Sequence, residues 1–271
     1  MPVRRLLIED AADVAYAARA LAGGAVVATA FGNFYAVVTR PDAAAVRGVN
    51  LAKGRPADQV GSVTTTRPRV AGVFDWSRLP DGVGEGAVRG LMDDLWRLGP
   101  FGFRGPAAPG VPEHLSQVDG GVRTAQVIAP GYACPSNGLF DLAGDPWLYI
   151  TSANRSRHLT GAAEEPAHWT ARGIAADFEH VGNLVIVEHR DEAAARGRYP
   201  AFVPASVTLL SFHRAHRTPD GQVLLTVDRH GSLDVATVRE HAARHGFAVT
   251  LGAGARRRLP VRSYDLARVT P

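Results

Sequence analysis

Lysine is almost missing from this 271-residue sequence: of thirty basic residues, Lys53 alone is not arginine. Where arginine serves everywhere else, a surviving lysine marks either a chance survival or a position suited to a compact ammonium and not to a flat guanidinium fork. Cysteine occurs once, as Cys134, which excludes an intrachain disulfide and a multi-thiolate metal site. A reducing cytoplasm is the location expected from that usage. Long apolar runs are missing as well. Stretches such as Ala25 to Ala30 and Leu184 to Val187 fall far short of the roughly 20 residues of a membrane span. Glu9 and Asp10 stand where a secretory signal would carry apolar residues, so neither membrane insertion nor export is expected. No G-x-x-x-x-G-K-S/T occurs, which excludes a P-loop, and no H-E-x-x-H occurs. His241 and His245 have ligand spacing on a predicted helix but lack a third partner, so no metal site is expected.

What is present is a globular composition, 46% hydrophobic and 21% charged, with a net charge of +4. Apolar spacing predicts helices over Asp13 to Leu21, Pro41 to Ala52, Ala87 to Arg97 and Asp234 to His245. Strands are predicted at Ala25 to Thr29, Gly61 to Thr65, Ala125 to Ile128, Trp147 to Ile150, Leu184 to Val187, Ser206 to Phe212, Val223 to Val227 and Phe247 to Leu251. Repeated Gly and Pro make Phe101 to Gly121 read as a loop. Helices and strands mix without strict alternation, which predicts a mixed α/β (α+β) domain built on one large twisted sheet. That domain is expected over residues 1–250, followed by a basic C-terminal tail over 251–271.

Two constellations carry chemistry. Lys53 and Arg55 flank Gly54 at a helix exit, where two cations can hold one small anion such as phosphate or bicarbonate; a solvated basic turn is the plain alternative. Thr151-Ser152-Ala153-Asn154 follows an apolar strand and offers hydroxyl and amide groups to a ribose, a phosphate or a carboxylate, or else makes an ordinary turn. Cys134 has no evident base nearby in sequence, which argues against a nucleophilic thiol.

Taken in order, these pieces resemble the YrdC-like family, which includes the threonylcarbamoyl-AMP synthases. The resemblance rests on Gly23-Gly24 before the first predicted strand, Tyr35, Lys53-Gly54-Arg55-Pro56, Gly99-Pro100, and Thr151-Ser152-Ala153-Asn154-Arg155-Ser156. It continues through Pro204-Ala205-Ser206-Val207-Thr208 and Val227-Asp228-Arg229-His230-Gly231-Ser232-Leu233, and spans the chain to about Gly246. It implies a twisted sheet around a concave basic cavity that binds ATP with Mg²⁺, bicarbonate and an amino acid or other amine, with tRNA modification as one destination. By resemblance Lys53 and Arg55 hold bicarbonate or phosphates and carry the catalysis. Thr151, Ser152, Asn154 and Ser206 would line the nucleotide site, and Phe31, Asn33, Tyr35 and Gln126 the substrate side.

The sequence departs from the family pattern on that substrate side. Ala30-Phe31-Gly32-Asn33 replaces a Pro-Thr-Glu-Thr signature, Gln126 stands where an arginine is usual, and Arg157 replaces a glycine. With Phe31, Phe34 and Gln126 as its walls, the pocket is expected to be more apolar and to show little preference for threonine. The leading expectation is an ATP-using enzyme that forms a carbamoyl- or acyl-adenylate. The alternatives are a non-catalytic nucleotide- or RNA-binding protein and an interaction domain of a larger carbamoyltransferase assembly. Arg256, Arg257, Arg258, Arg262 and Arg268, entered through Gly252-Ala253-Gly254, are expected to form either a solvated tail without function or a flexible contact for RNA or phosphate outside the catalytic centre.

Overall fold

A computed structural model describes residues 3–156 and 165–264. Arg157 and Arg268, singled out above, lie outside the described residues. Twelve strands form one sheet, as the sequence pattern predicted for a mixed α/β chain. In chain order they are β1 (Arg4–Leu7), β2 (Val26–Phe31), β3 (Phe34–Thr39), β4 (Ser62–Thr64), β5 (Phe101–Pro106), β6 (Ser116–Asp119), β7 (Val122–Ala129), β8 (Leu148–Ser152), β9 (Leu184–Glu188), β10 (Leu209–Arg217), β11 (Val223–Arg229) and β12 (Phe247–Leu251). Their spatial order is β1-β9-β2-β3-β8-β4-β7-β5-β10-β11-β12, with β6 paired to β7. Parallel pairs such as β2 with β9 and β5 with β10 alternate with antiparallel ones such as β3 with β8 and β5 with β7.

The helices form where their caps and apolar stripes say they should. Helix α1 (Ala11–Ala22) begins at Asp10, whose carboxylate accepts from the Ala12 and Asp13 amides, and it buries Val14, Ala17, Ala18 and Leu21. Helix α2 (Ala43–Ala52) is capped by Asp42, and α3 (Glu85–Leu98) buries Val88, Leu91, Met92, Leu95 and Trp96 along one stripe. Among the described residues no helix is long and apolar enough to cross a membrane.

The segment Phe101 to Gly121 is not the loop its composition predicted. It contains β5 and β6, and the glycines within β5 answer to packing, while Gly120 and Gly121 at φ +59° and +78° make the hairpin turn from β6 to β7. A Cβ on Gly105 would lie 1.9 Å from the Phe212 ring, and one on Gly102 would lie 3.0 Å from Leu209. Glycine here makes room for side chains of the neighbouring strand β10.

The chain past Leu251 is not a free arm. Arg258 donates to the carbonyls of Gly231 and Ser232, and the Leu259 amide donates to the His230 carbonyl at 2.8 Å. Arg262 reaches the Pro166 carbonyl at 2.9 Å and Glu165 at 3.0 Å, while the Tyr264 ring meets Trp169 edge-on at 4.7 Å. The expected flexible basic segment is therefore a strap along the body as far as Tyr264, with Arg256 and Arg257 left exposed.

Candidate functional site

The exit of α2 separates the two cations that sequence placed together. Gly54 adopts φ +69°, a conformation open to glycine, and the Arg55 amide turns back to the Asn50 carbonyl at 2.8 Å. Lys53 is thereby directed inward and is fully buried. Its ammonium donates to the carbonyls of Ser152 and Asn154, the latter at 2.6 Å. Arg55, half-buried, donates instead to Thr151 Oγ1 at 2.7 Å. Asn50 braces the loop that follows: its amide nitrogen donates to the Gln59 carbonyl at 2.8 Å, and its oxygen accepts from the Tyr149 hydroxyl at 2.9 Å. Burial raises the Tyr149 phenol, which stays protonated to make that bond.

Arg55 opens onto a cavity of about 520 Å³ at the middle of the sheet, a size that suits a small ligand. Strand β3 contributes Phe34 and Ala36, β4 Ser62, β5 Arg104, β7 Gln126 and Ile128, and β8 Ile150, Thr151 and Ser152. Ser206 and Val207 close one side with Arg229 of β11, and Leu259 of the C-terminal strap completes the wall. The tail expected to lie apart from the site thus contributes to it. Gly231 lets the chain pass close to Ser206, since a Cβ there would lie 2.1 Å from the Ser206 carbonyl oxygen.

Of the residues named from sequence, the fold brings Arg55, Thr151, Ser152, Ser206 and Gln126 to this cavity. Lys53 and Asn154 lie behind its wall, where they hold the turn that carries Ser152. Phe31, Asn33 and Tyr35 are elsewhere. Phe31 is a core residue packed against Phe34 and Phe140. Asn33 donates to the Phe202 carbonyl at 2.9 Å. Tyr35 alternates to the opposite side of β3 from Phe34 and Ala36, donates to Glu192 at 2.6 Å, and is pushed up by burial and that carboxylate.

Sequence reasoning missed Arg104 and Arg229. Arg104 pairs in register with Gln126 across β5 and β7 and donates to its side-chain oxygen at 2.6 Å. The adjacent strand thus brings a cation beside Gln126. Burial lowers the Arg104 guanidinium, opposed by Asp228 and Asp119, and it remains charged. The signal in sequence was an arginine alternating with Phe101 and Phe103, hidden by the glycines between them.

The wall of the cavity holds three arginines and no carboxylate among the described residues. Among these residues, moreover, no group of three or more His, Cys, Asp or Glu is arranged to hold a metal. Such a donor set fits an anion and does not fit a resident divalent cation.

No protein-family model matches this sequence, and no curated protein matches it. Solved structures do. P. abyssi Sua5 complexed with L-threonine superposes with a TM-score of 0.65 at 19% identity, covering 92% of this chain and 63% of that one. The chain thus spans less than two thirds of the length of that Sua5. A hypothetical protein, smu.1377c from Streptococcus mutans UA159, gives 0.64 at 13% identity, with 93% and 99% covered. Full-length HypF in its phosphate- and nucleotide-bound form gives 0.53 at 19% identity, covering 80% of this chain and 28% of that one. The fold is YrdC-like, as the motifs implied.

Proposed function

We propose, starting from this YrdC-like fold, that the protein binds ATP in the central cavity and forms a carbamoyl- or acyl-adenylate from ATP, bicarbonate and an amine or amino acid. The observation that carries the reading is the convergence of Arg55, Thr151, Ser152 and Ser206, with Arg104 and Arg229, on one cavity without an acidic wall. The relatives support it: a Sua5 was crystallised with L-threonine, and a HypF with phosphate and nucleotide.

In this reading the amine attacks carbon dioxide derived from bicarbonate and loses a proton, giving a carbamate. A carbamate oxygen then attacks the α-phosphorus of ATP, the bond to the β-phosphate oxygen breaks, and pyrophosphate leaves with its electron pair. Arg55 and Arg229, fixed around the phosphates, stabilise the charge that collects on the leaving group. Thr151 keeps Arg55 in place for that task. Lys53 acts one step back, holding the Ser152 to Asn154 turn against the site. Magnesium enters as the counter-ion of the nucleotide and not as a resident metal.

Pyrophosphate release from ATP, measured with bicarbonate present across a panel of amino acids, tests this reading. Release that depends on bicarbonate and on one class of amine is the expected result. Nucleotide binding with no release under any condition favours the second reading, a non-catalytic nucleotide- or RNA-binding protein. One observation speaks for that alternative: Phe31 and Gly32, in place of a hydroxyl and a carboxylate residue, are buried, and the cavity wall carries no general base among the described carboxylates. The exposed Arg256 and Arg257 beside the strap would then contact the phosphates of an RNA such as tRNA.

A further inference from the structure

A side chamber of about 50 Å³ opens off the central cavity between β4, β5, β6 and β7. Ser62, Arg104, Gln117 and Gln126 wall both spaces, so the chamber is a pocket for a terminal group of whatever occupies the cavity. It has room for little more than a carboxylate.

Its polar groups are mostly donors. Arg104 has five N–H groups. One is given to Gln126 at 2.6 Å and one to Asp228 at 3.3 Å, which leaves three without a protein acceptor among the described residues. Ser62 accepts from the Gln126 amide at 2.5 Å, so its own hydroxyl proton is available to a ligand. Gln126 joins the two, accepting from Arg104 and donating to Ser62, and so fixes both relative to the chamber.

The carboxylates behind Arg104 orient it without engaging all of its N–H groups. Asp228 and Asp119 also engage Arg214, and His213 lies against Asp119 at 3.0 Å. Burial pushes His213 below the ordinary imidazole range, so it is neutral at pH 7. The two aspartates then balance Arg104 and Arg214 alone, and Arg55 and Arg229 line the same cavity. A group entering the chamber meets a planar, bidentate donor with a hydroxyl beside it, the arrangement that matches a carboxylate.

We propose that this chamber binds a side-chain carboxylate of the acceptor, so that the amine substrate is a small acidic amino acid. The inference rests on the adenylate-forming reading for its acceptor, but the carboxylate site can be tested separately. It replaces the apolar, unselective pocket expected from sequence, because Phe31 is in the core and Gln126 serves to orient Arg104.

Calorimetric titration of the full chain with L-aspartate, L-glutamate, L-asparagine, L-glutamine and L-threonine, with and without a non-hydrolysable ATP analogue, tests the proposal. An acidic amino acid should bind at least about tenfold more tightly than its amide, the effect of one charged hydrogen bond. In R104Q the loss should fall on the acidic amino acid far more than on the nucleotide, and the difference between acid and amide should disappear. S62A, which leaves the ion pairs of Arg104 in place, should weaken the acid severalfold, and it serves if R104Q does not fold. Equal binding of acid and amide, tighter binding of threonine than of either acid, or an unchanged S62A overturns the proposal. A loss in R104Q that falls on the nucleotide also overturns it and assigns Arg104 to the phosphates. Absence of nucleotide binding with acid selectivity intact would instead remove the adenylate reading and leave the chamber assigned.

Discussion

Lys53 donates its ammonium proton to the backbone carbonyl of Asn154 at 2.6 Å, from a position with no exposed surface. Its neighbour in the motif, Arg55, is on the cavity wall. The pair is one basic motif in sequence and two devices in space, one bracing a buried turn and one lining the cavity.

That division predicts different phenotypes. Lys53→Met should leave buried carbonyls without a donor and destabilise the protein by on the order of 3 kcal/mol. Arg55→Gln should leave the melting temperature nearly unchanged and reduce nucleotide affinity. Thermal melts of the two variants check this. A Lys53→Met protein as stable as wild type would show that the ammonium serves the ligand directly.

Gly105 predicts a packing defect that its place in a strand would not suggest. Gly105→Ala puts a methyl group 1.9 Å from the Phe212 ring, which itself packs on Phe74 and Trp76. Overpacking of this kind costs about 1–3 kcal/mol. Urea unfolding should register that loss, and Phe212→Leu combined with Gly105→Ala should restore part of it. Additive losses in the double variant would contradict the assignment.

Stability should fall as the pH drops from about 7.5 to 5.5. His168, His213, His230 and His241 are each held below the ordinary imidazole range, chiefly by burial. In the unfolded chain these imidazoles take up protons near the ordinary value of about 6.5, while the folded chain resists them, so unfolding gains as the pH falls through that value. His168 is bonded to Asp177 at 2.8 Å, which offsets part of its shift. Urea midpoints across this range test the sign. A midpoint that is flat or rises toward pH 5.5 would contradict it.

Much of the fold was legible because apolar spacing and caps agree. Helix α3 buries residues at consecutive helical intervals, and β8 ends in the polar cluster that lines the site. Strand β3 was missed although Phe31-Gly32-Asn33-Phe34 carries its turn signal: Gly32 at φ +68° opens a two-residue hairpin that pairs Phe31 with Phe34. Strand β5 was hidden because a glycine that clears an aromatic ring looks, in sequence, like a glycine that makes a turn. The site divided along similar lines. Local motifs named Arg55, Thr151, Ser152 and Ser206. The contributions of Arg104, Arg229 and Leu259 arise from strand order and from the strap's path, both set by contacts between residues far apart in the chain. For Tyr35 the alternation of β3 turned the side chain away from the face of Phe34 and Ala36, whereas Phe31, the cross-strand partner of Phe34, is packed into the core against Phe34 and Phe140.

The central claim, that the cavity beside Arg55 is a nucleotide site, is tested most directly by calorimetric titration of ATP into the wild-type protein and into Arg55→Gln. The account predicts saturable one-to-one binding by the wild type and a loss of about tenfold or more in the variant, equivalent to about 1.5–3 kcal/mol for a charged hydrogen bond. Equal affinities in the two proteins, or no binding by the wild type, would contradict it.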